Sequence, residues 1–389
     1  MAVLGIVAEY DPFHNGHLRH LRSAVSVVAP SAVLVALSGP FKQRGDPSLL
    51  SPFARAEAVL ESGADAVFAL PVCWTVRDAE HYALGAVSLL SSLGATHLAF
   101  GAETSDLSLL EQTASLLENP PPAMEKAMRV SLSGGSGWPA ALAEAAGSIL
   151  PESRSVLSRP NNILAVCYLR AVRRLGLSLV PIVIPRTGGY HSERINPDAP
   201  SASALRAALC RGDWENTFPA LPAVSARLIR SAFLAGNVPD FKKLDSILLM
   251  KLRSMTCMEF SRLPDCPEGL DAALIGAARS ASSREELLAA LTSRRYPTAR
   301  ISRLCTSALL DLTADRLRDL PLPDSALLLA MKKNPFITGS WKNSKIRISS
   351  AADYLNSADP AERSAWRLWS LVCGLPASYP FTQRVLTQS

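Results

Sequence analysis

Two histidines three positions apart mark the stretch of this chain best suited to chemistry. His14 and His17 enclose Asn15 and Gly16 and follow an apolar run, Val3 to Ala8, that is typical of a short buried strand. A turn and then a helix starting at about Gly16 would direct both imidazoles and the helix N-terminus to one point. Free N–H groups and the helix dipole favour phosphate there, and the glycine lets a base or ribose approach the backbone. The pattern therefore predicts a nucleotide triphosphate site.

A lone histidine more often caps a helix or packs in a core than binds a ligand. Here the strand, turn and helix context favours the binding role, with both imidazoles on a turn outside the core. The spacing HxGH resembles that of the HIGH-type nucleotidyltransferases and class I aminoacyl-tRNA synthetases, which attack the α-phosphate of ATP.

Composition limits the class of protein. A chain of 389 residues with 48% hydrophobic content predicts two or three folded units. It has no apolar run long enough for a membrane span and no basic leader of a signal peptide. Its seven cysteines include no C-x-x-C pair, so reduced thiols and a cytoplasmic location are expected.

Apolar runs alternate with helical patterns through the first half of the chain. Strands are predicted at Ala32–Leu37, Ala66–Pro71, His97–Gly101 and Val180–Ile184, with helices between them. This alternation predicts an α/β fold with a doubly wound parallel sheet. Ligands of such sheets bind beyond the carboxyl ends of the strands, which places the loops 9–17, 38–47 and 101–103 on one rim.

Further segments extend this predicted domain, which we place at residues 1–215. A helical insertion is expected at about 107–150, interrupted by proline and glycine turns, and an N-cap signature at Arg159 opens the next helix. Another helix begins near Ser201 and Ser203 and carries Arg206 in its first turn. Those three side chains would contact the β- and γ-phosphates and stabilise departing pyrophosphate, although an ordinary serine cap beside a surface arginine gives the same pattern.

Charge separates the two halves. Residues 1–200 carry 15 Lys and Arg against 17 Asp and Glu, whereas residues 201–389 carry 25 against 17. We expect residues 216–389 to form an added helical, basic region, with its densest cluster at Arg294, Arg295, Arg300 and Arg303. Basic residues around Tyr296 suit an RNA surface, and a merely soluble basic surface is equally compatible with charge alone.

Several segments together resemble the bacterial tRNA(Met) cytidine acetate ligases over roughly residues 1–305. They are GIVAEYDPFHNGHLRHL, SGPFKQRGDPSLLSPFARAEAVLESGADAVFALPV, FGAE, RPNNILAVCYLRAV, RTGGYH, SASALRAAL and EGLDAALIGAARSASSREELLAALTSRRYPTARISRL. One departure is SGPF where the family has SGNF, because Pro40 lacks a backbone N–H. The resemblance implies a nucleotidyltransferase-like fold that converts ATP and acetate to acetyl-adenylate. It implies elongator tRNA(Met) as partner, with acetylation of the exocyclic amine of its wobble cytidine.

The residue pattern predicts that His14, His17 and Arg206 are catalytic and that Ser201, Ser203 and Arg206 contact phosphates. The basic cluster Arg294, Arg295, Arg300 and Arg303 is predicted from its charge to bind tRNA. The resemblance implies an ATP site that comprises Val7, Ala8, Glu9, Tyr10, Asp11, Pro12, Phe13, His14, Asn15, Gly16, His17, Leu18, Arg19, His20, Gly101, Asn161, Arg186 and Thr187. Mg²⁺ is expected with ATP, but no residues form a dedicated metal site, and no protein partner is indicated.

Two other functions remain open from the sequence. A small-metabolite adenylyltransferase shares HxGH but leaves the basic half unexplained. A catalytically silent tRNA-binding protein conflicts with the intact His14, His17 and Arg206, whereas Pro40 is compatible with it.

Overall fold

One mixed sheet forms the centre of the molecule. The computed structural model describes residues 1–186, 195–197, 200–267, 269–334, 341 and 346–388. Its strands are β1 (Val3–Ala8), β2 (Ala32–Ser38), β3 (Ala66–Leu70), β4 (His97–Ala102), β5 (Val180–Pro185), β6 (Ser325–Lys332), β7 (Arg347–Ser349) and β8 (Leu386–Gln388). They lie in the order β5-β4-β1-β2-β3-β6-β7, with β8 also paired to β6. Strands β1 to β5 are parallel to one another, and β6 runs antiparallel to β3.

Helices cover both faces of the sheet. They are α1 (Asn15–Val28), α2 (Pro52–Glu61), α3 (Val72–Thr75), α4 (Ala79–Ser92), α5 (Leu107–Glu118), α6 (Pro122–Ser133), α7 (Trp138–Gly147), α8 (Ser153–Leu157), α9 (Pro160–Arg174), α10 (Ala202–Cys210), α11 (Trp214–Thr217), α12 (Ala223–Leu234), α13 (Phe241–Ser254), α14 (Cys257–Ser261), α15 (Leu270–Ser280), α16 (Arg284–Leu291), α17 (Thr298–Leu309), α18 (Ala314–Arg318), α19 (Ala351–Ser357), α20 (Pro360–Val372) and α21 (Tyr379–Thr382).

The central strands are apolar on both faces because each face meets a helical layer. On one face Leu34 and Phe68 pack in the core that α4 and α9 share. On the other face Val35 and Val67 join the core beneath α1 and α2. Burial on both sides is what continuous apolar strands in a parallel sheet require, so the predicted doubly wound α/β fold is confirmed.

Strand order reverses beside β1, whose neighbours are β2 on one side and β4 on the other. The carboxyl ends of β1 and β4 therefore border a crevice at the switch point, where ligands of such sheets bind. His14 follows β1 and Gly101 lies in β4, so the first and third predicted rim loops meet at this crevice.

The C-terminal half differs from the helical region expected for residues 216–389. Its helices α12 to α18 are present, but β6, β7 and β8 extend the central sheet beyond β3. Leu, Ala and Met dominate β6, and these residue types carry little strand propensity, so the segment gave no local strand signal. The conformation of this segment is determined by its pairing with β3. Without β6, the N–H and C=O groups along that edge of the apolar strand β3 would remain unpaired.

Helices α13 to α17 enclose a separate apolar core around Leu248, Phe260 and Leu304. This helical cluster contacts the loop after β2. Ser302 Oγ donates to the carbonyl of Arg44, and Thr306 Oγ1 donates to that of Gly45 at 2.6 Å. Arg284 forms an ion pair with Asp46 at 2.6 Å. The basic half is therefore attached directly to the rim formed by the loop after β2. Within the described residues, no helix is both long and apolar enough to cross a membrane.

Candidate active site

His14 and His17 cap helix α1 together. The Nδ1 atom of His14 accepts hydrogen bonds from the backbone N–H groups of Gly16 and His17, at 3.1 and 3.3 Å. The Nδ1 atom of His17 accepts from the N–H of His14 at 3.4 Å. An accepting Nδ1 is unprotonated, so the proton of each neutral ring resides on Nε2, which is then a hydrogen-bond donor. The helix begins at Asn15, one residue before the predicted start.

Both imidazoles are held in the neutral state. Burial and then the positive charge of Arg186 lower the pKa of His14 to about 3. Burial and the adjacent His14 lower the pKa of His17 well below its usual value. His14 is only 1% exposed, so the expectation that both histidines lie on a turn outside the core is wrong for His14. Capping α1 draws that ring inward.

Aromatic rings hold the turn before α1 in place. Tyr10 has a φ of 46°, which is rare for a tyrosine, and its ring lies 4.9 Å from the rings of both Phe13 and His17. Tyr10 and Phe13 are almost fully buried. The local pattern predicts a turn here, but its rigidity arises from this packing.

Asp11 joins three cationic side chains. Its Oδ2 lies 3.3 Å from Lys42 Nζ and 3.9 Å from Arg206 Nη1, while its Oδ1 accepts from the N–H of Leu49 at 2.8 Å. Burial alone would raise the pKa of Asp11, but Lys42, Arg206 and Arg55 together hold it below its usual value. The ionised carboxylate therefore fixes Lys42 and Arg206 beside the turn that carries the histidines.

Arg55 is a buried residue of the site that the sequence analysis did not identify. Its guanidinium donates to the carbonyls of Glu9 and Ser38 at 2.6 and 2.9 Å, and also to those of Gly39 and Leu50. Those carbonyls follow β1 and β2, so Arg55 fixes both loops of the rim. Lys42 is the second residue missed. It lies in the loop after β2 and is only 4% exposed.

Gly101, Asn161 and Arg186 come together opposite α1, as expected from their assignment to one site. A Cβ on Gly101 would lie 3.0 Å from the Arg186 side chain, whose Nη1 donates to Asn161 Oδ1 at 2.8 Å. Glu103, a further residue that the assignment omitted, accepts from Asn161 Nδ2 at 2.6 Å. Thr187 falls outside the described residues.

The predicted phosphate-contacting residues border the same crevice. Ser201 and Ser203 share a hydrogen bond of 2.8 Å at the start of α10, and the Arg206 guanidinium donates to the Asp11 carbonyl. A Cβ on Gly16 would lie 3.9 Å from the ring of Pro200, so the N-termini of α1 and α10 are adjacent. Two helix N-termini with Arg206 between them form a cationic cradle.

The remaining residues of the predicted ATP site lie along β1 and α1. Val7 and Ala8 end β1, Leu18 lies on the inner side of α1, and Arg19 is exposed. His20 is partly buried, and burial together with Arg186 lowers its pKa to about 4. Its Nε2 is a buried atom without a hydrogen-bond partner.

The four arginines predicted to bind tRNA differ in exposure and in their partners. Arg294 and Arg295 are exposed in the loop before α17, which meets the turn before α7: a Cβ on Gly137 would clash with the Arg294 carbonyl. Arg300 donates to the Asp265 carbonyl at 2.8 Å and stacks on Tyr296. Arg303 is partly buried, and together with Arg300 it lines a pocket against the sheet domain.

The site offers cationic side chains and few metal ligands. The N–H groups of Gly16 and His17, which were expected to be free for phosphate, donate to His14 Nδ1 instead. Across the described ranges, no group of three or more His, Cys, Asp or Glu side chains could hold a metal ion. Asp11 is committed to Lys42 and Arg206. These residues do not fit a resident Mg²⁺.

Fold and site define a nucleotide-binding α/β protein of the nucleotidyltransferase type. The family model described as HIGH Nucleotidyl Transferase matches residues 1–364. The tRNA(Met) cytidine acetate ligase of Fervidobacterium nodosum is 33% identical over 370 residues, which are 93% of this chain and 87% of that protein. The ligase of the same name from Syntrophomonas wolfei is 37% identical over 311 residues, 78% of this chain and 74% of that one.

A solved structure agrees. Thermotoga maritima TmcAL bound with alpha-thio ATP superposes with a TM-score of 0.91 at 26% identity, and each chain is covered over 100% of its length. The present chain belongs to the HIGH nucleotidyl transferases and, among them, to the tRNA(Met) cytidine acetate ligases.

Proposed function

We propose that this protein is an ATP-dependent ligase that acetylates the exocyclic amine of the wobble cytidine of elongator tRNA(Met). The observation that carries the proposal is the crevice between β1 and β4, where two neutral histidines and two helix N-termini face one another. This arrangement is suited to a triphosphate, and relatives that are 33% and 37% identical to this chain carry the name tRNA(Met) cytidine acetate ligase.

In the first step an acetate oxygen attacks the α-phosphorus of ATP. The bond from that phosphorus to the oxygen bridging to the β-phosphate breaks, which releases pyrophosphate and leaves acetyl-adenylate. The Nε2–H groups of His14 and His17 donate to the oxygens on which charge develops. Arg206 and the N-terminus of α10 hold the departing pyrophosphate, and Arg186 neutralises charge from the β4 side. No covalent bond to the protein is needed.

In the second step the cytidine N4 attacks the acetyl carbon. The carbon–oxygen bond to AMP breaks, AMP leaves, and the amine loses one proton. The adenylate is already activated, so the residues mainly hold the base, unstacked from its neighbours, against the acetyl group.

Two further assignments complete the proposal. Mg²⁺ enters bound to the phosphates of ATP, since the residues present do not form a site of their own for it. The exposed Arg294 and Arg295 contact the tRNA backbone, a role supported by the positive charge excess of residues 201–389. A cytoplasmic location follows from the substrates proposed.

Labelled ATP, acetate and tRNA separate this function from its alternatives. We expect acetate-dependent pyrophosphate release without tRNA, and N4-acetylcytidine when tRNA(Met) is added. A small-metabolite adenylyltransferase would release pyrophosphate with a nucleotide-type acceptor and ignore acetate. A catalytically silent binder would retain tRNA without turnover, and either result would refute the proposal.

A further inference from the structure

A second pocket lies between the sheet domain and the helical cluster, away from the two histidines. It has a volume of about 70 Å³, and its polar lining includes Arg77, Asp78, Asp265, Arg300, Arg303 and Ser307. Arg77 and Asp78 lie between α3 and α4, whereas Arg303 and Ser307 project from α17. The pocket is therefore formed where the two parts of the chain meet.

Two donors in this pocket have no protein acceptor. Ser307 is 1% exposed, and its Oγ is a buried atom without a hydrogen-bond partner. Within the described part of the chain, Arg303 has neither a hydrogen bond nor an ion pair. Burial lowers the pKa of its guanidinium, and the negative charges of Asp78 and Asp265 offset this only in part. Leaving a desolvated guanidinium and a buried hydroxyl unpaired costs free energy, so both groups are suited to an incoming acceptor.

Arg77, Arg300 and Asp78 already have hydrogen-bond partners in the pocket, whereas the Asp265 carboxylate acts on Arg303 through its charge. Arg77 donates to the carbonyl of Leu317 at 3.2 Å, and Arg300 donates to the carbonyl of Asp265. Asp78 accepts from His81 Nδ1 at 2.7 Å and from two backbone N–H groups at the start of α4. Three guanidinium groups face two carboxylates, which leaves an excess of one positive charge. This balance matches a monoanion and not the four negative charges of ATP.

The pocket is linked to the catalytic rim through one side chain. The Nε2 atom of Gln43 donates to the Arg77 carbonyl. The backbone N–H of Gln43 donates to Glu9 Oε1 at 2.8 Å. Glu9 directly follows β1. A group held by Arg303 would thus lie beside the loop that borders the histidines.

We propose that this pocket binds one phosphodiester group of the tRNA substrate, with Arg303 and Ser307 as the donors to its oxygens. The inference rests on the proposed function, since it needs RNA as the substrate. A phosphodiester carries one negative charge and several acceptor oxygens, which are what the unused guanidinium and hydroxyl require. The contact would anchor the RNA at the junction, whereas Arg294 and Arg295 bind it farther out.

The test compares matched variants of the full chain. Arg303→Gln and Ser307→Ala remove the two donors, and each has a control. Arg279→Gln removes an exposed arginine on α15, outside the pocket. Ser225→Ala removes a hydroxyl on α12 that is likewise buried and without a partner. The affinity for a tRNA(Met) transcript is measured as a function of salt concentration, with acetate-dependent pyrophosphate release measured on the same preparations.

We expect Arg303→Gln to weaken tRNA binding roughly tenfold and to reduce the salt slope by ~0.7 to 0.9. Ser307→Ala should weaken binding roughly fivefold without lowering stability, because it loses no hydrogen bond within the protein. Ser225→Ala should leave binding unchanged, and Arg279→Gln should alter it less than Arg303→Gln. The KM for acetate should stay unchanged in both pocket variants.

Four outcomes would overturn the assignment. If both pocket variants bind tRNA as their controls do while the wild type acetylates RNA, the pocket is not an RNA site and the proposed function stands. If the KM for acetate rises while tRNA affinity is unchanged, the anion is acetate. If inorganic phosphate raises the melting temperature of the wild type but not of Arg303→Gln, with equal tRNA binding, the ligand is free phosphate. A wild type that neither binds nor acetylates tRNA refutes both proposals.

Discussion

The imidazole rings of His14 and His17 stack with their centroids 3.6 Å apart and an interplanar angle of 17°. Because each Nδ1 accepts a backbone N–H at the same helix end, the two rings fix one another's tautomer. The stack also disfavours two adjacent imidazolium ions. The histidines are therefore best described as oriented neutral donors.

Replacing the histidines should separate their two roles. His17→Ala should lower acetate-dependent pyrophosphate release about a hundredfold or more, because one donor to a developing charge is worth ~3 kcal/mol. His14→Ala should show the same loss and in addition a stability loss of ~1 kcal/mol, since it removes the N-cap. His14→Asn restores the cap and should recover stability without recovering rate. Chemical denaturation and the pyrophosphate assay give both readouts, and normal turnover in His14→Asn would contradict the assignment.

Acid should destabilise the protein through the same side chains. The pKa values of about 3 for His14 and about 4 for His20 lie below the usual 6.5, so the unfolded chain binds more protons as the pH falls below 6.5. The free energy of unfolding should therefore decrease between pH 6.5 and 4, by up to ~1.4 kcal/mol per pH unit for each such histidine. NMR of the C2 protons provides a direct check. Titration of His14 near pH 6.5 in the free protein would show that the ring is not held neutral.

Asp11 and Glu57 offer a matched comparison of buried and exposed ion pairs. Asp11→Ala leaves Lys42 almost fully buried without its partner at 3.3 Å, which should cost ~3–5 kcal/mol of stability. Glu57→Gln breaks a pair with Arg227, whose side chain is 55% exposed, and should cost below ~1 kcal/mol. Urea denaturation of both variants measures the difference. Equal, small losses would mean that Lys42 finds another partner.

Gly45 tests whether docking of the helical cluster supports transfer to RNA. It has a φ of 87°, and an added Cβ would lie 2.8 Å from the carbonyl oxygen of Ser302 on α17. Gly236 has a φ of 69° with nothing within 4 Å, so Gly236→Ala reproduces the strain without the clash. We expect Gly45→Ala to reduce RNA acetylation more than pyrophosphate release, and Gly236→Ala to spare both. Equal loss of the two activities in Gly45→Ala would instead indicate that tRNA closure assembles the whole site.

Glu362 should make the free energy of unfolding depend on pH with the sign opposite to that expected for His14 and His20. Burial raises its pKa to about 7 from the usual 4.5, while its oxygens accept from the N–H of Val72 and from Trp366 Nε1. The folded chain then retains a proton that the unfolded chain releases, so stability falls as the pH rises from 4.5 to 7. The free energy of unfolding of Glu362→Gln, measured against wild type across this range, should lack that decline. A constant difference between the two proteins would place the pKa of Glu362 near its usual value.

The sequence by itself determined the features that depend on neighbours along the chain. Apolar runs with helices between them specified the parallel sheet, and the HxGH spacing after β1 specified the N-terminus of a helix. The rule for open α/β sheets placed the loops 9–17, 38–47 and 101–103 on one rim, because parallel strands end on one edge. Asn161 and Arg186 were assigned to this rim by the family resemblance, and they lie beside Gly101 in the structure.

Only the tertiary structure decided the rest, since it depends on contacts between distant residues. Nothing local in the sequence marks Lys42 and Arg55 as buried. Both lie buried in the rim because Lys42 pairs with Asp11 and Arg55 donates to backbone carbonyls at the ends of β1 and β2. Residues Ser325–Lys332 form a strand because they pair with the edge of β3, although their residue types do not indicate a strand. Arg294, Arg295, Arg300 and Arg303 form one basic cluster in the sequence. Helix packing leaves Arg294 and Arg295 exposed but places Arg300 and Arg303, three residues apart on α17, along one pocket.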